Sequence, residues 1–365
     1  MNKYGKNEIS LWQYILTISG TQVGFSLLTL PGKVEHIAGT DGLISIVIAW
    51  AITTLVSLCI VKIMAKHPED TLVDVLTRYM GKWIGKAGMV IWIVYSLVAA
   101  ISLFLSTLLI IQVWVLPQTP SYVLMILLTI PIYMLMRGGV RIISRYEVFV
   151  FLFTLWMPFV LSISLKDAHW VYLLPLLKEG WIPIFHTAKT IVASFLGFEF
   201  AFVLYPYLNN KKSAAKGIVI ANTITLLVYL QVTLVCFVYF GPDGILEFLW
   251  PTLSLVMPLH FSFLERLEIV FLSFYLFIFL DSTVPYVFAA MDGINQLLNK
   301  KDWQFPTCIF FFLMVVGLFF YTPSTYQIDA LWEWVRISGF YVAYIFPVAF
   351  LLYITAFTRW KRRRR

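Results

Sequence analysis

Two carboxylates sit inside long apolar runs of this 365-residue chain. Glu199 ends the segment Ser194-Phe195-Leu196-Gly197-Phe198-Glu199, and Asp281 lies in Phe279-Leu280-Asp281-Ser282-Thr283. An acid held in hydrocarbon costs about 2.5–3.5 kcal/mol on insertion scales, and such groups face a bundle interior or a cavity. Glu199 could bind a ligand amine or carry a proton, or it could cap the free N–H groups of a half-helix that follows Gly197. Asp281 stands four residues before Pro285, which frees a carbonyl and allows local unwinding. Both acids are candidate relays for an ion or a proton. A third polar cluster, Gly20-Thr21-Gln22-Val23-Gly24-Phe25-Ser26, is closed by Thr29-Leu30-Pro31. Glycines four apart could let a helix unwind and turn its N–H groups to an anion. They could equally form a small-residue packing face.

These residues need elements to hold them, and the composition says which. Hydrophobic residues make up 60% of the chain and charged residues 13%, which describes an integral membrane protein. At about 20 apolar residues per crossing, ten helical spans are predicted, near 9–30, 42–64, 87–114, 121–136, 146–165, 187–208, 214–239, 267–291, 306–322 and 336–358. No cleavable leader is expected, because the first apolar run is too long and lacks a small-residue cleavage site. The polar clusters at 20–26 and 194–199 fall inside the first and sixth spans. Paired breaks in two halves of a bundle point to a small-solute site near the bilayer midplane.

Lys and Arg set the orientation. With the N-terminus inside, the inner segments and the tail hold 21 of them and the outer segments 6. The positive-inside rule then puts both termini in the cytoplasm. Residues 66–86 read as an amphipathic interfacial helix, with Asp70, Asp74 and Arg78 spaced by four. Residues 243–263 are apolar but split by Pro251 and Pro258, which suggests a short re-entrant or interfacial hairpin outside.

The remaining polar residues read more plainly. Asn222, Thr223 and Thr225, with Gln112 and Gln231, suit hydrogen bonds between helices. Lys189 and Glu147 lie near the ends of spans and are expected to snorkel. Cys59, Cys236 and Cys308 fall in apolar stretches without disulfide or metal-ligand spacing, and the five histidines are scattered, so neither a metal nor a cofactor is expected. Arg362 to Arg365 form a topology anchor that contacts lipid headgroups; nucleic acid is not an expected partner. No nucleophile elbow, phosphate loop or acid pair at a reaction centre is present, so the chain does not read as an enzyme.

The run Gly24-Phe25-Ser26-Leu27-Leu28-Thr29-Leu30-Pro31 resembles the first-helix motif of the amino acid–polyamine–organocation superfamily. More narrowly, the chain is similar to the B subunits of spore germination nutrient receptors. Thr29-Leu30-Pro31, Gly81-Lys82-Trp83-Ile84-Gly85, Ser194 to Glu199, Trp250-Pro251-Thr252 and Glu265-Arg266 carry the likeness, in family order. The resemblance implies an all-α polytopic fold, a LeuT-like 5+5 inverted repeat with discontinuous helices 1 and 6. The repeats would span 1–165 and 187–358, and a basic cytoplasmic tail would follow at 359–365. It further implies a nutrient ligand, an amino acid or a sugar-like germinant, sensed in the inner spore membrane beside an A subunit and a lipoprotein C subunit. By position, Thr21, Gln22, Val23, Gly24 and Ser26 match the first-helix side of the ligand site. Ser194, Phe195, Gly197 and Glu199 match the sixth-helix side, and Ser102 and Ser106 face it from span 3. Ser26 stands where a second glycine is common in the superfamily, which narrows the space beside the backbone.

Three functions share such a pocket. A receptor would pass ligand binding to its partners, a transporter would move an amino acid with H⁺ or Na⁺, and a channel subunit would pass water or ions through the breaks. The resemblance favours the receptor.

Overall fold

The computed structural model describes residues 7–175, 177–178, 180–259, 266–298 and 304–363. Lys3, Lys6, His260, Glu265, Lys300, Lys301 and the side chains of Arg362 to Arg365 lie outside that description, as does the end of the expected hairpin at 260–263.

Ser10 starts the first helix through a capping box: its Oγ accepts from Gln13 N at 3.3 Å, and its own N donates to Gln13 Oε1 at 2.8 Å. The helix α1 (Leu11–Val23) stops at Gly24, whose φ of −1° and ψ of −132° are not helical, and α2 (Ser26–Ala38) resumes beyond it. The chain continues through α3 (Gly42–Ala65), the amphipathic α4 (Leu72–Met80), α5 (Lys82–Trp114), α6 (Ser121–Arg137), α7 (Gly139–Thr154) and α8 (Met157–Leu161). Next come α9 (Trp181–Ile191) and α10 (Ala201–Leu204), joined by a stretch of 3₁₀ turns. The last part holds α11 (Ala214–Ile245), α12 (Pro251–Ser254), α13 (Leu267–Leu298), α14 (Gln304–Phe320), α15 (Thr325–Gly339) and α16 (Phe346–Arg363), with one π-helical turn at Phe340–Ile345. Every predicted span thus meets a helix or a pair of helices. Six described helical segments are long and apolar enough to cross a bilayer, and the bent pair Trp181–Phe195 and Phe198–Tyr207, at 46°, would make a seventh. α6 and α14 are shorter apolar helices that pack on one another.

No β-strand occurs among the described residues. A lone pairing joins Ile9 to Leu208, with Ile9 N donating to Tyr207 O at 2.9 Å and Asn209 N to Ile9 O at 3.1 Å. It ties the start of the first broken helix to the end of the second.

Helices α1, α5, α11 and α13 form the centre. α13 runs along α5, and α1 is held between α11, α7 and α13. Their facing side chains are large and buried, among them Tyr14, Phe104, Tyr229, Tyr275 and Phe279. The outer faces carry exposed Leu55, Ile91, Leu127, Met134, Leu152 and Phe312, the apolar surface that lipid would cover.

Of residues 66–86, read as one amphipathic interfacial helix, Leu72–Met80 form the amphipathic α4 and the stretch from Lys82 on belongs to α5. Thr71 and Asp74 form its capping box, and Asp70 pairs with Arg78 at 2.6 Å. Burial and the nearby Arg78 cation hold the His67 imidazole below its usual range, and the ring sits 2.9 Å from Tyr79 Oη. In the 243–259 region, read as a short re-entrant or interfacial hairpin, residues 243–245 end α11 and the single turn α12 follows, buried against α2. One expectation changes. Glu147 does not snorkel: α7 begins at Gly139, ahead of the apolar run, so Glu147 lies two turns inside and is 1% exposed. Gln112 bonds Thr119 O in the turn that follows its own helix and Ser121 at the start of α6, an interhelical bond of the kind expected.

Candidate functional site

The two breaks face each other, and their loosened backbone is largely satisfied by side chains. Ser282 Oγ donates to Gly20 O at 3.1 Å, Tyr275 Oη to Gly24 O at 2.8 Å, and Thr252 Oγ1 to Leu27 O at 2.8 Å. The last bond has a clear cause. Pro31 has no N–H, so the Leu27 carbonyl four residues back loses its helical donor, and Thr252 replaces it. The motifs Thr29-Leu30-Pro31 and Trp250-Pro251-Thr252 are therefore two halves of one contact.

On the other break, Tyr344 Oη lies 2.6 Å from Val192 O, and Gln22 Nε2 donates to Phe195 O at 2.9 Å. Tyr229 Oη lies 2.7 Å from both Gln22 O and Ser194 O, so one hydroxyl bridges the two broken helices. The Gln22 amide is fully engaged: Nε2 also meets Asn222 Oδ1 at 3.0 Å, and Oε1 accepts from Thr225 at 2.7 Å. Asn222 then reaches Ser57 at 2.9 Å. Asn222 and Thr225 thus make the interhelical bonds expected of them, as does Gln231 to Pro158 O and Ser162, whereas Thr223 bonds Val219 O on its own helix.

Gly20 and Gly24 serve close packing. A Cβ on Gly24 would collide with the Ser282 hydroxyl and sit 2.7 Å from Ser282 Cβ. One on Gly20 would collide with Asp281 and lie 2.7 Å from Glu147 Oε2. The small-residue face is real here, and at Gly24 it coincides with the break. Gly197 takes φ +122°, a conformation that side chains avoid, and packs 3.0 Å (from its would-be Cβ) against the Thr21–Gln22 backbone.

A cavity of about 810 Å³ opens beside the first break. Of the residues matched by position, Thr21, Gln22, Gly24, Ser26, Ser106 and Ser194 line it. In the first turn of α2, Leu28 N donates to Phe25 O at 3.2 Å, the N-cap residue Phe25 provides no side-chain cap for the turn, and Gly24, Phe25 and Ser26 lie on the cavity wall. Phe25 stacks on Trp332 at 5.4 Å and 11°, and Trp332 Nε1 donates to Ser106 Oγ at 2.8 Å.

Val23, Ser102, Phe195, Gly197 and Glu199 are not on the wall. Ser102 donates to Val98 O at 2.9 Å, and Phe195 is buried edge-on against Tyr229. Glu199 is 1% exposed and holds three donors: Tyr95 Oη at 2.6 Å and Tyr286 Oη at 3.0 Å on Oε1, and Gly197 N at 2.7 Å on Oε2. Three donors replace the hydration a buried carboxylate loses. Tyr286 itself lines the cavity, so Glu199 stands one side chain behind the wall.

Sequence reasoning missed the cavity mouth. Lys33, which counted only as an outer cation, lines it together with Asp329, Glu333 and Arg336 from α15. Arg336 is paired with Glu333 through Nε at 2.7 Å, while Lys33 has no ion-pair partner among the described residues. Only the tertiary arrangement, which brings α2 and α15 to one cavity, reveals this, and no local pattern encodes it. Asp281 lies away from the cavity and beside Glu147, with Glu147 Oε1, Glu147 Oε2 and Asp281 Oδ1 all buried without a hydrogen-bond donor. No group of His, Cys, Asp and Glu suited to a metal occurs among the described residues.

Comparison with known proteins decides the family. The profile described as spore germination protein matches residues 8–327, a stretch that contains both breaks. The chain belongs to the spore germination protein family. Its relatives in that family include spore germination protein GerQB of Bacillus cereus, 23% identical over 94% of this chain and 95% of that protein. Spore germination protein YndE of Bacillus subtilis (strain 168) is 24% identical over 98% of each chain, and spore germination protein A2 of the same organism is 26% identical over 94% and 93%.

Among solved structures, a mutant of the Eremococcus coleocola manganese transporter aligns with a TM-score of 0.60 at 13% identity, covering 93% of this chain and 78% of that one. MhsT in complex with L-phenylalanine aligns at 0.52 and 13%, covering 96% and 99%. At such identities the likeness concerns fold alone. This member of the spore germination family is an all-α membrane protein with the LeuT-like arrangement and discontinuous first and sixth helices.

Proposed function

We propose that the chain is the nutrient-sensing B-type subunit of a spore germination receptor. It binds an amino acid or a similar small germinant in the cavity beside the breaks and signals to an A subunit and a lipoprotein C subunit. It resides in the inner spore membrane with both termini cytoplasmic, and its repeats run over 1–165 and 187–358. The observation that carries this reading is the cavity itself: about 810 Å³, walled by the uncapped first turn of α2, by Ser194 and by the Phe25–Trp332 stack. A ligand carboxylate suits the α2 amides or Lys33, and a ligand amine suits Asp329. Thr21, Gly24, Ser26, Ser106 and Ser194 form the contact wall. Gln22, Phe195, Gly197 and Glu199 hold the breaks in shape, and Val23 and Ser102 lie behind the wall.

A second reading, H⁺- or Na⁺-coupled transport of an amino acid, is favoured by the Glu147–Asp281 pair beside Gly20. Two carboxylates in a dry interior cannot both stay charged without a proton or a cation between them. Uptake into liposomes separates the two readings. For a receptor, the purified chain accumulates no radiolabelled amino acid under an imposed proton or sodium gradient; concentrative uptake would establish the transporter instead.

A further inference from the structure

A second hollow, of about 480 Å³, opens on the lipid side between α3, α9 and the π-turn ahead of α16. Its walls are apolar, with Ile52, Val56, Phe185, Val348 and Leu352 prominent. One charged group lines it, Lys189, which has no ion-pair partner among the described residues.

Lys189 lies eight residues beyond the exposed Trp181, about 12 Å along α9. The sixth span is read from 187, so Lys189 lies near its outer end, at the edge of a hydrocarbon half-layer of about 15 Å. A cation at this depth is costly unless it reaches the interface or meets an anion. From Phe340 to Leu352 the wall runs about 18 Å, comparable to that half-layer. The hollow therefore offers a slot of acyl-chain length beside one unpaired positive charge, and its volume suits a single small occupant.

The floor of the slot leads to the functional site. Tyr344 lines it, donates to or accepts from Thr53 at 2.8 Å, and caps Val192 O at 2.6 Å. Its ring meets Phe198 edge-on at 5.0 Å. Val192 lines the slot and opens the 3₁₀ turn whose next residues, Ala193 and Ser194, line the main cavity. The π-turn at Phe340–Ile345 is an irregularity at the same spot, of a kind found often at functional sites.

We propose that this slot binds an acidic phospholipid, with the phosphate paired to Lys189 and one acyl chain lying against Tyr344, so that lipid occupancy steadies the sixth-helix break. The charge selects an anionic headgroup, and the apolar walls select the chain.

The test uses the full chain purified in detergent, delipidated, and supplied with phosphatidylglycerol or phosphatidylcholine of identical acyl chains. Native mass spectrometry counts the lipid retained, and thermal unfolding reads the effect on the fold. The wild-type chain should retain phosphatidylglycerol about tenfold better than phosphatidylcholine, and should melt several degrees higher in it. Lys189→Gln should lose the preference while still melting cooperatively. Ile52→Trp, which fills the slot, should lose retention of both lipids, and Lys62→Gln should behave as wild type. Equal retention of the two lipids by the wild-type chain overturns the proposal. So does an undiminished preference in Lys189→Gln, or a stable dimer that forms without lipid and removes the slot from solvent.

Discussion

Glu199 shows how one residue can be legible in type and illegible in role. A carboxylate after Gly197 in an apolar run marks the break from sequence alone, but Tyr95 and Tyr286 come from positions 104 residues before and 87 residues after it. With Gly197 N they turn a candidate ligand group into the anchor of the sixth-helix turn. Glu199→Gln keeps the shape but sets an NH₂ against donors. It should lower stability by about 1.5–3 kcal/mol and blunt germination by the nutrient. An unchanged melting temperature and an unchanged dose-response would make Glu199 dispensable. Lys33 carries the opposite lesson. Nothing near it in sequence distinguishes it from any other outer cation, and its place at the cavity follows only from the tertiary arrangement that puts α2 and α15 on one wall. Lys33→Gln should raise the half-maximal nutrient concentration roughly tenfold, equivalent to about 1.4 kcal/mol, with Lys33→Arg retaining most of the response. Equal responses in all three proteins would remove Lys33 from the site.

Among the elements, the broken helices were readable because glycine, proline and polar residues interrupt runs that are otherwise apolar. The means by which the breaks survive were not, because many of the freed carbonyls are capped by side chains distant in sequence. Tyr229 on α11 serves two of them at once. Tyr229→Phe leaves both short of a donor and should cost about 1–3 kcal/mol, measured by thermal unfolding in detergent, whereas loss of a merely packed hydroxyl would cost little. Thr252→Val should act similarly through Leu27 O, since Pro31 cannot supply the missing N–H. Span limits were the weak point of the sequence reading. Hydropathy begins the fifth span near 146, but α7 starts at Gly139 because Arg141 and Arg145 occupy the helix turns before the apolar run. That shift converts Glu147 from a snorkelling acid into the buried neighbour of Asp281.

At the level of the whole molecule, the apolar composition, the charge bias and the two breaks together indicated a membrane bundle with a central solute site. The family match over 8–327 and the alignments to two solved structures place the chain in an all-α membrane fold with the LeuT-like arrangement. Residue contacts between halves more than 170 positions apart, such as Gln22 Nε2 with Phe195 O, lie beyond any local pattern, yet they hold the two breaks together. The account stands on germinant recognition beside the first break, where a Cβ on Gly24 meets Ser282. The most direct measurement is the nutrient dose-response of spores whose only copy of this chain carries Gly24→Leu, with its membrane level matched to wild type by immunoblot. The account predicts normal membrane insertion and no response to the nutrient; germination at the normal nutrient concentration would contradict it.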